Sequence, residues 1–126
     1  MSNFWDKAQQ TAASAHTLLS IGDGSGAVNR AYFAMFHAAR STLERVQPEL
    51  SASKRHATII GKFALHVVRQ RGLDPIHGRA FNLAFDQRMI ADYEGEPINP
   101  EVAREIVEDM DRFLVGVQPF NAGRGT

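Results

Sequence analysis

Residues 27–46 constrain the fold more than any other stretch of the chain. They read Ala-Val-Asn-Arg-Ala-Tyr-Phe-Ala-Met-Phe-His-Ala-Ala-Arg-Ser-Thr-Leu-Glu-Arg-Val. Wound into a helix, this stretch is apolar around nearly its whole circumference. A helix with one apolar stripe lies on a surface, whereas one that is apolar on most sides is enclosed by other helices. The rest of the chain must therefore supply the enclosure. Asn29, Arg30, Tyr32 and His37 are set into the same cylinder. Polar groups in a core cost free energy unless they are satisfied or used. The stretch is thus the expected centre of the fold and the expected seat of function.

The enclosing helices can be read in order. Over residues 3–20, Phe4, Trp5, Ala8, Ala12, Ala15, Leu18 and Leu19 recur mostly at threes and fours, an amphipathic helix that Ser2 or Asn3 can cap. It stops at the turn cluster Gly22-Asp-Gly-Ser-Gly26, which lacks the Gly-Lys-Ser/Thr and preceding strand of a phosphate loop. The central helix ends near Val46, because Pro48 disfavours helical geometry before it. Residues 47–53 read as a loop. Ser51 or Ser53 then caps a third helix whose inward face is Ile59, Ile60, Phe63, Ala64, Val67 and Val68, and which ends at Gly72. Asp74-Pro75 opens a fourth, with Ile76, Ala80, Leu83, Ala84 and Ile90 as its core face. Asn99-Pro100-Glu101 opens a fifth, carrying Val102, Ile106, Met110, Phe113, Leu114 and Val117.

No sustained alternation or hairpin signal indicates a strand. The expected fold is all-α, an up-and-down bundle of four long helices plus a short or fifth one. A chain of 126 residues fits one domain, placed at residues 1–118 with a flexible tail over 119–126.

Composition narrows function by exclusion. The formal net charge is zero, so there is no basic coat, and any RNA contact must come from a local patch. There is no cysteine, hence no disulfide framework, thiolate metal site or thiol nucleophile. The start of the chain lacks a signal-peptide pattern, and no apolar run approaches the roughly 20 residues that span a bilayer. A soluble, cytoplasmic protein without membrane contact is expected.

Several groups are candidates for chemistry. Arg30 and His37 are seven apart and so share one helix face, about 10 Å apart along the axis. Ala34 lies between them as a small floor. The pair either holds a phosphate or ribose, or satisfies neighbouring carbonyls or a carboxylate in the core. Arg88 and Asp92 are spaced to pair on one face, with Tyr93 next to them, either as an exposed ion pair or as a recognition patch. Lys54-Arg55-His56 opens the third helix against its dipole, either as a binding feature or as a solvated loop end. His56 shares a face with Ile60, Phe63 and Val67. His16, His66 and His77 lack evident partners, and no histidine pair has zincin spacing. The catalytic reading that remains needs no metal and no cofactor. In it, histidine moves a proton and arginine stabilises the charge of the transition state.

The segment Ala27-Val-Asn-Arg-Ala-Tyr-Phe-Ala-Met-Phe-His-Ala-Ala-Arg40 resembles the signature helix of the HEPN superfamily (higher eukaryotes and prokaryotes nucleotide-binding domains). The resemblance continues through Lys54-Arg-His56 with Ile-Ile-Gly-Lys-Phe, then Arg88-Met-Ile-Ala-Asp-Tyr93 and the closing helix. It implies an up-and-down helical bundle of a kind that commonly dimerises, with a polar cleft at or near the dimer interface. Many members are metal-independent endoribonucleases with an Arg-x(4–6)-His motif. Many small ones form toxin–antitoxin pairs with a minimal nucleotidyltransferase, and others bind nucleotides or substrates without cleavage.

This chain departs from the ribonuclease pattern. The usual motif lies on the later helix, which here reads Arg88-x-x-x-Asp92-Tyr93, with an acid where a histidine would be wanted. An aspartate of ordinary pKa is a weak general acid at neutral pH. Arg30-x6-His37 meets the motif's letter, but on the earlier helix. One expectation is an endoribonuclease with Arg30 and His37 catalytic and Lys54, His56, Arg88, Asp92 and Tyr93 holding RNA. The other is a non-catalytic nucleotide-binding partner of a minimal nucleotidyltransferase, with Tyr93, or Tyr32 if exposed, accepting a nucleotidyl group.

Overall fold

The computed structural model describes residues 3–95 and 97–122, with the side chains at 93 and 94 left aside. Five α-helices follow one another: α1 (Phe4–Ser20), α2 (Gly24–Val46), α3 (His56–Phe63), α4 (Pro75–Glu94) and α5 (Pro100–Asn121). A 3-10 turn (Pro48–Ser51) precedes α3, and α3 runs on through a π-helical segment (Ala64–Arg69). There is no strand among the described residues. The chain is an all-α bundle, and among the described residues no helix is long and apolar enough to cross a membrane.

Helix α2 is the axis. It packs against every other helix, most extensively against α1 and then α5. Around it, α1 touches α5, α5 touches α4, and α4 touches α3. Among the described residues, α1 and α3 do not touch, so the ring is open on one side. Small residues bring α1 close: Ala8, Ala12 and Ala15 of α1 and Ala27, Ala31, Ala34 and Ala38 of α2 are all buried. The opposite side is filled by aromatic rings. Phe63 stacks on Phe113 with centroids 5.1 Å apart, and Phe81 meets Phe113 at 5.5 Å and Tyr32 at 5.8 Å. Asn121 joins α5 to α2, accepting from Ser41 Oγ at 2.5 Å and donating to Thr42 Oγ1 at 3.1 Å, all three residues being buried.

Local signals set most boundaries. Asp23 caps α2 by accepting from the Gly26 N–H at 2.8 Å, so α2 starts at Gly24, inside the glycine cluster rather than after it. Asp74 and Asn99 cap α4 and α5 in the same way. Gly72 and Gly95 close α3 and α4 with positive φ.

Four expectations are corrected. Asn3 occupies the cap position of α1 without a side-chain bond, and Ser2 lies outside the described residues. Neither Ser51 nor Ser53 caps α3, which begins at His56. Ser51 is instead in the 3-10 turn, where its carbonyl accepts from the Arg40 guanidinium at 2.8 Å and ties the turn to α2. Helix α4 is rotated from its expected face: Ala84 is buried as expected, but Ile76, Leu83 and Ile90 are 48%, 45% and 40% exposed, and Phe81 is buried instead. The rings of Phe81 and Phe85 reach Tyr32 on α2, and this aromatic contact wins over the aliphatic stripe. Finally, α5 does not fray at Pro119 but reaches the buried Asn121. Proline there forfeits one hydrogen bond in the last turn, to the carbonyl of the exposed Val115, where water can replace it.

Candidate functional site

The open side of the ring exposes one stripe of the central helix. Between residues 31 and 43, every residue of α2 is buried except Phe33, His37 and Arg40. With the half-buried Arg30, these lie at helical spacings of three and four, a single line facing the gap. The face that Arg30 and His37 were expected to share is therefore the one the fold leaves uncovered.

Phe33 is the hub of this face. The Arg30 guanidinium lies 5.3 Å from its ring centroid, and Arg88 reaches it from α4 at 5.0 Å. His37 stands 6.1 Å away and His56, from α3, 5.7 Å away. Two guanidinium groups and two imidazoles from three helices thus surround one aromatic ring. The expected floor, Ala34, is buried instead. Phe33 and Ala34 flank the Arg30–His37 line on opposite sides, and packing of α1 on α2 covers the alanine. Phe33 was legible in principle, three residues after Arg30 and four before His37, but an aromatic residue on this helix reads as core.

Arg30 is held by its neighbour, donating to Asn29 Oδ1 from Nε at 3.1 Å and Nη2 at 2.7 Å. Beside it, a groove of about 470 Å³ is lined by Ala13, Ser14, Thr17 and Leu18 of α1. Arg40 is occupied with the Ser51 carbonyl and with the Phe4 ring, 4.2 Å from its centroid. His37 Nδ1 is buried without a hydrogen-bond partner. Burial first, then Lys7, Arg40 and Arg30, pushes its imidazole down to about 4, so His37 is neutral at pH 7. Lys7, on α1, brings a further cation that sequence spacing did not reveal.

The second half of the site is built on Tyr32. Its side chain is wholly buried, and its hydroxyl lies 2.5 Å from His56 Nδ1. The His56 ring stacks on Phe36 at 4.7 Å. Burial pushes the Tyr32 hydroxyl up, partly offset by Arg88, and burial together with Arg88 pushes His56 down. The expected inward orientation of His56 is what the fold adopts. Tyr32 is not an exposed acceptor for a transferred group, because α4 and α3 cover it with Phe81, Phe85 and His56.

Arg88 is four-fifths buried at its side chain and faces the Asp92 carboxylate at 3.3 Å, while its Nε lacks an aligned hydrogen bond. The pair is thus anchored in the Phe33 cluster at its arginine end and open to solvent at its acid end. Lys54 is exposed ahead of α3 and is not drawn into the cluster. The Tyr93 side chain lies outside the described residues. The remaining histidines do find neighbours: His16 Nε2 meets both oxygens of Asp111 at 2.9 Å, His66 pairs with Gln70 at 3.0 Å, and His77 packs edge-on to Phe113. No group of three or more His, Cys, Asp or Glu able to hold a metal ion occurs among the described residues.

Cations outnumber carboxylates here, and Asp92 is committed to Arg88. Such a face suits an anion carrying a flat ring: guanidinium and imidazole N–H groups meet phosphate oxygens, and an aromatic floor meets a base.

Comparison with known proteins supplies the family. The family model described as HEPN domain matches residues 1–118. A protein of Methanocaldococcus jannaschii, named Putative toxin MJ0605, is 32% identical over 90 residues, covering 70% of this chain. The matched region spans 63% of that relative's length. The central helix carries Arg30 and His37 on its uncovered face, and the family model covers nearly the whole chain: this protein belongs to the HEPN domain family.

Proposed function

We propose that this chain is a toxin-like HEPN protein that acts on RNA, seating a phosphodiester against Phe33 and cleaving it without a metal ion. The observation that carries the reading is the convergence of Arg30 and Arg88 on one ring, with His37 and His56 beside it, on the uncovered stripe of α2. The name of the relative from Methanocaldococcus jannaschii supports the toxin-like part. Arg30 and Arg88 bind the phosphate and stabilise the charge that grows on it. His37 takes the proton of the attacking 2′-oxygen and returns it to the departing 5′-oxygen, so that the P–O2′ bond forms as the P–O5′ bond breaks. An imidazole held near 4 is a poor base. Lys7, Arg40 and Arg30 are part of what holds it there, and a bound phosphate neutralises their field. Substrate thus removes the cationic share of the shift and makes His37 a better base, while the larger share due to burial remains.

The test is incubation of the pure protein with a labelled single-stranded RNA in excess chelator. Cleavage to a 2′,3′-cyclic phosphate and a 5′-hydroxyl is expected, and should vanish in a folded His37→Ala variant. Intact RNA with the folded wild-type protein would overturn the cleavage.

A second reading has its own support. Arg88 is paired with an acid where the ribonuclease pattern wants a histidine, and His37 is uncharged at rest. In that reading the same face binds a nucleotide, and the chain is the partner of a minimal nucleotidyltransferase, as a dimer. Co-purification with such a partner, and a mass increase at Tyr93 with ATP, would favour it. Absence of both alongside RNA cleavage would exclude it.

A further inference from the structure

We propose that Tyr32 and His56 form a positioning pair, in which the Tyr32 hydroxyl holds His56 as the neutral Nε2–H tautomer so that His56 donates a hydrogen bond to a phosphate oxygen at the Phe33 face. The ligand in this statement rests on the RNA reading above, but the tautomer does not.

The proton count decides the tautomer. The Tyr32 hydroxyl carries one proton, and its hydrogen-bond neighbour among the described residues is His56 Nδ1 at 2.5 Å. Around it are the rings of Phe36, Phe81 and Phe85. If Nδ1 were protonated and donated to the hydroxyl, the tyrosine proton would be left among those rings without an acceptor. A buried donor without a partner costs about 1–3 kcal/mol. Donation from tyrosine to a bare Nδ1 avoids this and places the imidazole proton on Nε2. A tyrosinate would also remove the conflict, but burial opposes ionisation at Tyr32. An imidazolium would restore the conflict and place a charge beside Arg88, with Lys54 and Arg55 preceding it on its own segment; Asp92, the nearby acid, is paired with Arg88.

The other nitrogen is free to work. Among the described residues His56 Nε2 makes no hydrogen bond, and it is not among the sealed, unpartnered atoms. The ring plane is set by the stack on Phe36 and by the edge contact with Phe33. A neutral imidazole held this way is a directed donor that polarises an oxygen without supplying a proton. The two histidines then divide the labour: His56 is a donor with its proton pinned, and His37 is left to exchange one.

Long-range proton–nitrogen NMR on the labelled wild-type protein reads the tautomer directly. At pH 7, His56 should show a bare Nδ1 and a protonated Nε2, and Tyr32→Phe should convert it to a mixture. Binding is read with a 2′-O-methylated RNA oligonucleotide, which cannot be cleaved. His56→Gln keeps an N–H near the Nε2 position and should bind within about threefold of wild type. His56→Phe keeps the stack without the donor and should bind about tenfold more weakly, the loss of one hydrogen bond to a charged group. A protonated Nδ1 in the wild type would overturn the lock. Equal binding by His56→Phe would overturn the donor role. A correct tautomer in a protein that binds no RNA would overturn the ligand assignment and the RNA reading together, while leaving the lock standing.

Discussion

His37 should make the protein acid-sensitive. In the unfolded chain its imidazole has the ordinary value of 6.5, and in the fold it is held at about 4. Between these values the unfolded state binds more protons than the folded one, so stability falls as pH falls. The contribution is fully present above 6.5 and lost by the time pH reaches 4. At full strength the linkage is about 2 kcal/mol between pH 7.5 and pH 5. The stripe is partly open to water, which weakens both the burial penalty and the field of Lys7, Arg40 and Arg30 and brings the figure to about 1 kcal/mol. Burial also lowers His56 and His77, and these act with the same sign. The His37 share is therefore the difference between wild type and His37→Gln. Urea denaturation at both pH values should show the variant losing about 1 kcal/mol less than wild type on acidification. NMR titration gives the same quantity at the site. The 2′-O-methylated RNA should move the His37 titration back toward its ordinary value by cancelling the surrounding cations. An imidazole that titrates normally in the free protein, or equal acid sensitivity in the variant, would refute the reasoning.

Three further outcomes follow from particular contacts. Asn121→Ala removes the partner of Ser41 and Thr42 in a sealed site and should cost about 2–4 kcal/mol in urea denaturation. Gly116→Ala would place a methyl 2.5 Å from His77 Nε2 and should destabilise by about 1–2 kcal/mol, whereas in a His77→Ala background the same change should stabilise by up to about 1 kcal/mol through helix propensity, a sign reversal read in a double-mutant cycle. RNA affinity should fall with salt, and Arg30→Gln or Arg88→Gln should each flatten the log–log slope by about 0.7 if each guanidinium neutralises one phosphate.

The helices were legible because their signals are local. Glycine and proline punctuation, Asp74 and Asn99 at helix starts, and the all-round apolar character of residues 27–46 each act within a turn or two. Those signals specified an all-α bundle about a central helix, and spacing alone put Arg30 and His37 on one face. Where local signals conflicted, tertiary contacts decided. The aliphatic stripe of α4 lost to the fit of Phe81 and Phe85 on Tyr32, and the serines before α3 lost to a 3-10 turn held by Arg40. The site depended on non-local geometry still more. That α1 and α3 fail to meet, so that Phe33 and His37 reach solvent while Ala34 does not, is a property of five helices packed together. Periodicity within one helix cannot report the gaps between others. Local pattern thus specified the bundle and the shared face of Arg30 and His37. Packing between helices made that face the open one and brought Arg88 and His56 to it around Phe33.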